Sequence, residues 1–319
     1  MSAKNIDLSI VVPLLNEEEV LPRLLEELTR VLDHMGKEYE IILVDDGSTD
    51  RTYELMEKAS ESNKRLKIVR FSRNFGHQAA FSAGIDFTEG DMVITMDGDL
   101  QHPPSLIPEL VKGAEEGYDM VIGERTLNKQ NSKSREATGK FAYKLLSFMT
   151  GLDFKNISDF NLYNRKVVNV LKKMPERERF MRGLIQWVGF KKKYLSYVVE
   201  ERKAGTPKYG FMKLFNLGLS GVTSFSAFPL HVSFWAGLLV FVSSILFGIY
   251  VVINHFVNPN PVLSGWATIV ILVLFLGSVQ LMVLGIVGEY IFKMFNEIKG
   301  RPFYIVSNTL NIDKENIKE

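Results

Sequence analysis

Asp97 and Asp99 flank Gly98 at the end of a short apolar run, Met92 to Met96. In an extended chain alternate residues point the same way, and a glycine between them admits close approach, so two carboxylates can share one hard cation. The 319 residues contain no cysteine, so a metal here must be held by oxygen or imidazole, and Mg2+ or Mn2+ suits such a site. An isolated Asp-x-Asp can equally well do no more than end a strand. Similar polar clusters follow four other apolar runs: Pro13 to Glu17, Asp45-Asp46-Gly47-Ser48, Arg73-Asn74-Phe75-Gly76-His77 and Glu124-Arg125. No Gly-x-Gly-x-x-Gly and no Walker-type Gly-Lys-Ser/Thr follows any of them, so a phosphate would have to be neutralised by another device. His77 and His102 are placed to touch a ligand but are not read as metal ligands.

The elements that must position these residues are legible as pattern. Runs rich in Val and Ile at Leu8 to Leu14, Tyr39 to Val44, Leu66 to Phe71, Met92 to Met96 and Met120 to Gly123 read as buried strands. Helical patterns lie between them at about 17–35, 50–62, 77–88 and 104–116. Strand and helix in alternation predict an α/β fold, a mostly parallel sheet with helices on both faces. Ligands of such sheets bind beyond the carboxyl ends of the strands, where all five clusters fall.

A net charge of +1 gives no bulk reason to bind nucleic acid. The distribution says more: from Leu214 to Gly288 there is no Asp, Glu, Lys or Arg. Polar interruptions at Asn254-His255 and Asn258 to Pro261 divide this stretch into two expected membrane helices, about 229–253 and 265–290. Two buried core helices are the alternative, but neither segment shows a polar stripe. Lysines precede the first span and Lys293, Lys299 and Arg301 follow the second, so both ends are expected in the cytoplasm, in a multi-pass protein of the plasma membrane. Phe211, Leu214, Phe215, Leu219 and Val222 predict an amphipathic helix in the bilayer interface. The expected organisation is a cytosolic domain (1–208), an interfacial helix (209–226), a membrane hairpin (227–292) and a cytosolic tail (293–319). Gly277, Gly285 and Gly288 lead us to expect a homo-oligomer.

Ser9 to Glu18, Val44 to Asp50 and Asp97 to Pro104 resemble, in order and spacing, the opening strand, second strand end and metal motif of the family-2 glycosyltransferases with the GT-A fold. Within that family the chain is similar to the polyprenyl-phosphate glycosyltransferases, the group that includes dolichyl-phosphate mannose synthase. The likeness rests on Arg73 to Ala80, Ser158 to Tyr163 and Arg202 to Gly210, and the two C-terminal spans match its GtrB-like branch. The Gln-x-x-Arg-Trp of processive synthases is replaced by Arg182 to Trp187, so polymerisation is not expected.

The resemblance implies inverting transfer of a sugar, with glucose from UDP-glucose the leading expectation, to a polyprenyl (undecaprenyl) phosphate. GDP-mannose, UDP-GlcNAc or a modified sugar stays open, as does a membrane sensor that binds nucleotide sugar without turnover. Pro13, Asn16, Glu17, Asp45, Asp46, Asp97, Gln101, Arg202 and Lys208 are implied for the donor. Arg125 and Arg135 are implied for the acceptor phosphate, Asp97 and Asp99 for the metal, and Asp99, Arg125 and Asp159 for catalysis. Asp159 is expected to orient the acceptor phosphate or accept hydrogen bonds from the sugar, the plain alternative being a helix N-cap.

Overall fold

The computed structural model describes residues 6–126, 157–174, 176, 179–198, 226, 228–257 and 266–312, with Ser147 and Met149. Its described part forms two compact units, one ending at 198 and resuming at 301, the other from 226 to 300.

In the first unit the five apolar runs form strands Leu8–Leu14 (β1), Tyr39–Asp45 (β2), Leu66–Phe71 (β3), Met92–Thr95 (β4) and Met120–Thr126 (β5). Between them run helices Leu21–His34 (α1), Thr52–Ser62 (α2), His77–Asp86 (α3) and Ile107–Glu115 (α4). β1 pairs in parallel with β2 and β4, and β2 with β3. Every residue of β1 and β2 is buried, as expected of strands covered on both faces. Leu21, Leu24, Leu28 and Leu32 form the buried stripe of α1, at the spacing of one helix face. Phe81 and the small residues of α3 are buried against β1 and β2.

Three strands lie beyond these five: Ile157–Asn164 (β6), Lys192–Val198 (β7) and Val306–Leu310 (β8). The sheet order is β7-β5-β6-β4-β1-β2-β3-β8, with β6 antiparallel to β4 and β5, and β8 antiparallel to β3. β7 is parallel to β5. Two short helices, Arg165–Lys173 (α5) and Met181–Trp187 (α6), lie between β6 and β7. The expected tail at 293–319 is corrected in part, because residues 306–310 join the sheet as an edge strand. Its sequence Val-Ser-Asn-Thr-Leu alternates too weakly to announce itself. Backbone pairing and side-chain ties hold it instead, including Asn308 Nδ2 to Tyr53 Oη at 2.8 Å and Asn311 Nδ2 to the Leu66 carbonyl at 2.9 Å.

The second unit contains two long helices, Phe228–Val257 (α7) and Trp266–Ile298 (α8). Phe228–Phe247 and Phe275–Ile298 are long and apolar enough to cross a membrane, with mean hydropathies of 2.0 and 1.7 and nothing in either window buried. Phe234, Trp235, Leu239, Phe241 and Leu246 are all exposed, unlike the buried stripe of a core helix. Ser233 and Ser244 spend their hydroxyls on the carbonyls of Pro229 and Val240 one turn back, as serines in apolar helices do. The expected interfacial helix lies outside the described residues except for Ser226.

Candidate active site

β6 makes the site. Its antiparallel register sets Asn161 opposite Thr95, and continued two residues it brings Asp159 across from Asp97, beyond the end of β4. His77, the first residue of α3, reaches between them, with Nε2 3.1 Å from Asp97 Oδ1 and 3.6 Å from Asp159 Oδ2. Burial would lower the His77 pKa, but the Asp159 and Asp97 carboxylates outweigh it and raise it to about 10. The ring is therefore an imidazolium at neutral pH, a positive charge held between two negative ones. Burial pushes the Asp159 carboxyl up, but Arg182 and His77 hold it well below the carboxylate range. Arg182 grips it with both arms, Nε to Oδ1 at 3.0 Å and Nη2 to Oδ2 at 2.7 Å. A carboxylate so stabilised is a weak base. Because Asp159 lies inside β6, it is no helix cap; Asn164 caps α5, accepting from the Val167 N–H at 3.3 Å.

His102 is fully buried and orders the acidic turn. The Asp97 N–H donates to its Nδ1 at 2.9 Å, so Nδ1 is the bare nitrogen and the proton of a neutral ring sits on Nε2. Burial lowers the His102 pKa against the pull of Asp97, which keeps the ring neutral. Arg125 Nη2 stands 3.1 Å from Nε2, and Asp97 Oδ2 lies 3.6 Å from each, close enough for charge attraction but beyond a hydrogen bond. Asp97 itself is held below its ordinary value although burial acts the other way, the His77 ring 3.1 Å away supplying the opposing charge. A Cβ at Gly98 would lie 2.5 Å from Leu14 Cδ2 and 3.2 Å from the Pro13 carbonyl oxygen, so the turn between the two acids is closely packed. Asp99 accepts the Gln101 N–H at 3.1 Å and tightens the turn.

The first two strand ends interlock. The N–H groups of Asn16, Glu17 and Glu18 donate to Ser48 Oγ, Thr52 Oγ1 and Asp50 Oδ2, and Asn16 Oδ1 accepts from the Thr49 N–H at 2.8 Å. α1 starts at Leu21 and not at 17, with Pro22 in its first turn, where a missing N–H costs nothing. Pro13 sits in β1, paired with Val44. Asp45 Oδ1 accepts the Ser48 N–H at 2.9 Å and its Oδ2 lies 3.3 Å from Arg70 Nε. Asp46 takes the N–H groups of Phe75 and Gly76, so it braces the 72–76 loop. Gly47, at φ +71°, leaves no room for a Cβ, which would lie 2.6 Å from the Arg73 carbonyl carbon. Gly47→Ala is expected to lose about 1–2 kcal/mol from the left-handed backbone alone, and to raise the KM for a nucleotide sugar by moving this turn. Thermal unfolding and steady-state kinetics check both, and a variant with unchanged Tm and KM would contradict the packing.

Arg135, Arg202 and Lys208 lie outside the described residues. Of the other expected residues, the structure gathers Asp97, Asp159 and Arg125 into one cluster and sets Pro13, Asn16, Glu17, Asp45 and Asp46 on the adjoining strand ends. The sequence relates Arg182 only to a motif it does not complete and gives no metal-ligand role to His77 or His102. Nothing in sequence links Arg182 to an acid 23 positions earlier; only the meeting of α6 and β6 does.

Among the described residues, His77, Asp97 and Asp159 offer ligand atoms within 4.8 Å of one another. Asp97 Oδ1 is buried and accepts no well-directed hydrogen bond among the described residues, its near neighbour being the His77 imidazolium. The two carboxylates fit a hard divalent cation, which would take the place of the His77 proton between them. Asp99 is not part of that group.

The sequence profile of glycosyl transferase family 2 matches residues 9–171, and the chain belongs to this family. It is a glycosyltransferase whose α/β domain is built on a mostly parallel sheet. The chain is 38% identical over 316 residues to an uncharacterized glycosyltransferase, YkcC, of Bacillus subtilis, covering 99% of this chain and 98% of the relative. It is 39% identical over 303 residues to the SfII prophage-derived bactoprenol glucosyl transferase of Shigella flexneri, covering 95% and 98%. The crystal structure of glucosyl-3-phosphoglycerate synthase from Mycobacterium tuberculosis with Mn2+, UDP and phosphoglyceric acid aligns at 20% identity and a TM-score of 0.49, covering 68% of this chain and 76% of that one.

Proposed function

We propose that the chain transfers glucose from UDP-glucose to a polyprenyl phosphate of the undecaprenyl (bactoprenol) type at the cytoplasmic face of the plasma membrane, inverting the anomeric configuration. The observation that carries this is the near full-length similarity to proteins named bactoprenol glucosyl transferase. The cluster at the ends of β4, β5 and β6 supports it, because it joins carboxylates for a cation to an arginine for a phosphate.

The acceptor phosphate is an anion at neutral pH and needs no strong base, which agrees with an Asp159 locked by Arg182. In this reading Asp159 orients His77 and Arg182 around the reacting groups instead of taking a proton. Arg125, tied only loosely to Asp97 at 3.6 Å, turns toward the acceptor phosphate. Arg135 is assigned beside it, and Arg202 and Lys208 to the donor diphosphate. Asn16, Glu17, Asp45 and Asp46 shape the nucleoside side through the interlocked turns, with Pro13 and Gln101 at its edges. Mg2+ or Mn2+ held by Asp97 and Asp99 would supply Lewis-acid stabilisation of the charge growing on the leaving diphosphate. Both ends of the membrane hairpin face the cytoplasm, by the charge of its flanks.

Purified protein incubated with undecaprenyl phosphate and a panel of nucleotide sugars, with Mn2+, Mg2+ or a chelator, tests this. Lipid extraction and mass spectrometry should show a hexosyl phospholipid from UDP-glucose, and chelation should abolish it. The anomeric coupling should report a β-linked product. Transfer from another donor would replace the sugar, and binding with no transfer at all would leave a sensor.

A further inference from the structure

The segment that follows α8 belongs to the catalytic unit and reaches the C-terminal end of α3 and the root of the loop that precedes it. Tyr304 Oη donates to Asp86 Oδ2 at 2.9 Å, and Asp86 is the last residue of α3. A carboxylate at a helix C-terminus opposes the helix dipole, so it needs a partner to sit there. Arg179 Nη1 is 3.9 Å away, and the phenol is the nearer one. The Tyr304 ring stacks on Phe71, with centroids 5.1 Å apart at 15°, and Phe71 meets Phe75 edge-on at 5.6 Å. The Ser72 N–H donates to the Ile305 carbonyl at 3.0 Å.

One short arm thus touches the end of α3 and the root of the 72–76 loop. That loop holds Asp46 through the amides of Phe75 and Gly76, underlies Gly47 and leads straight into His77. Tyr304 is remote from the Asp97 and Asp159 cluster in role but shares with it the helix and loop that place His77.

We propose that Tyr304 is a positioning residue for the donor side of the active site, acting through Phe71 and Phe75 on the 72–76 loop and through Asp86 on α3. The sugar nucleotide as ligand rests on the function proposed above; the mechanical link does not. The chain leaving the second membrane helix thereby completes the catalytic unit, and its loss loosens donor binding before it affects the acceptor.

The test compares the full-length protein in detergent with Tyr304→Ala, Tyr304→Phe and Asp86→Asn. Donor KM, acceptor KM, kcat, Tm and the Kd values for UDP and GDP are measured. Tyr304→Ala should raise the donor KM and the nucleotide Kd about tenfold, a loss of about 1.4 kcal/mol of binding. The acceptor KM should stay within about twofold, and Tyr304→Phe, which keeps the ring on Phe71, should recover most of the loss. A merely structural role predicts a lower active fraction, seen as reduced kcat and Tm with donor KM unchanged, and that result overturns the proposal. If Tyr304→Ala does not fold, Tyr304→Phe and Asp86→Asn still decide: each should raise the nucleotide Kd by about two- to fourfold, and no change in either overturns it. A wild type that binds nucleotide but transfers no sugar would sink the proposed function and leave the Kd comparison standing.

Discussion

Asp97→Asn is expected to lower turnover by roughly two to three orders of magnitude, the usual loss when a charge aimed at the reacting centre is removed. The substitution is nearly isosteric, so the fold should survive and Tm should move little. What changes is charge: His77 Nε2 at 3.1 Å and Arg125 Nη2 at 3.6 Å both lean on this carboxylate. Neutralising it removes one of the two anions that hold the imidazolium and an oxygen suited to a divalent cation. The Asp97 N–H to His102 bond is made by the backbone and is retained, so the turn stays ordered. Single-turnover kinetics with lipid extraction measure the effect. A variant retaining a third or more of wild-type turnover would remove Asp97 from the centre of the mechanism.

Lys67→Met should cause the largest loss of stability while sparing the activity of each folded molecule. Lys67 Nζ lies 2.6 Å from Glu40 Oε2 and 2.8 Å from Glu89 Oε2, with the Glu40 side chain only 1% exposed. Glu40 Oε1 also accepts from Ser9 Oγ at 2.6 Å and from the Glu89 N–H at 2.7 Å, and Ser9 Oγ accepts the Gly90 N–H at 2.9 Å. This network ties the starts of β1, β2 and β3 to the turn before β4, at the opposite end of the sheet from the site. Removing the ammonium strands a buried carboxylate, at a cost of about 3–5 kcal/mol. Burial would lower the Lys67 pKa, but Glu40 and Glu89 outweigh it and raise it above 10.5. A raised lysine pKa contributes stability that is fully present below the unfolded value and lost as pH climbs through the folded one. Wild-type stability should therefore fall above about pH 10.5, and the variant should lack that component of the fall. Denaturant unfolding across pH checks both, and Glu40→Gln added to Lys67→Met should restore part of the loss. A Lys67→Met protein as stable as wild type would show that the pair contributes nothing net.

Much of the catalytic unit was legible because its strands are buried on both faces. Such strands must be continuous runs of Val, Ile and Leu, and β1 to β5 appeared in the sequence within three residues of their observed ends. The uncharged stretch from Leu214 to Gly288 was equally plain, since lipid tolerates little else. β8 was missed because an edge strand draws on backbone pairing and a few amide side chains, neither of which has a periodic signature.

For the site, the residue types and their order along the chain were determined by the sequence: acids around a glycine at one strand end, and polar turns at four others. The meaning of Asp97 was not. Only the antiparallel insertion of β6 sets Asp159 opposite it, only the start of α3 puts His77 between the two, and only the approach of α6 gives Asp159 to Arg182. These contacts join residues far apart in the chain. Their energies come from burial and from charges facing one another across a few ångströms, quantities that exist only once the strands have paired.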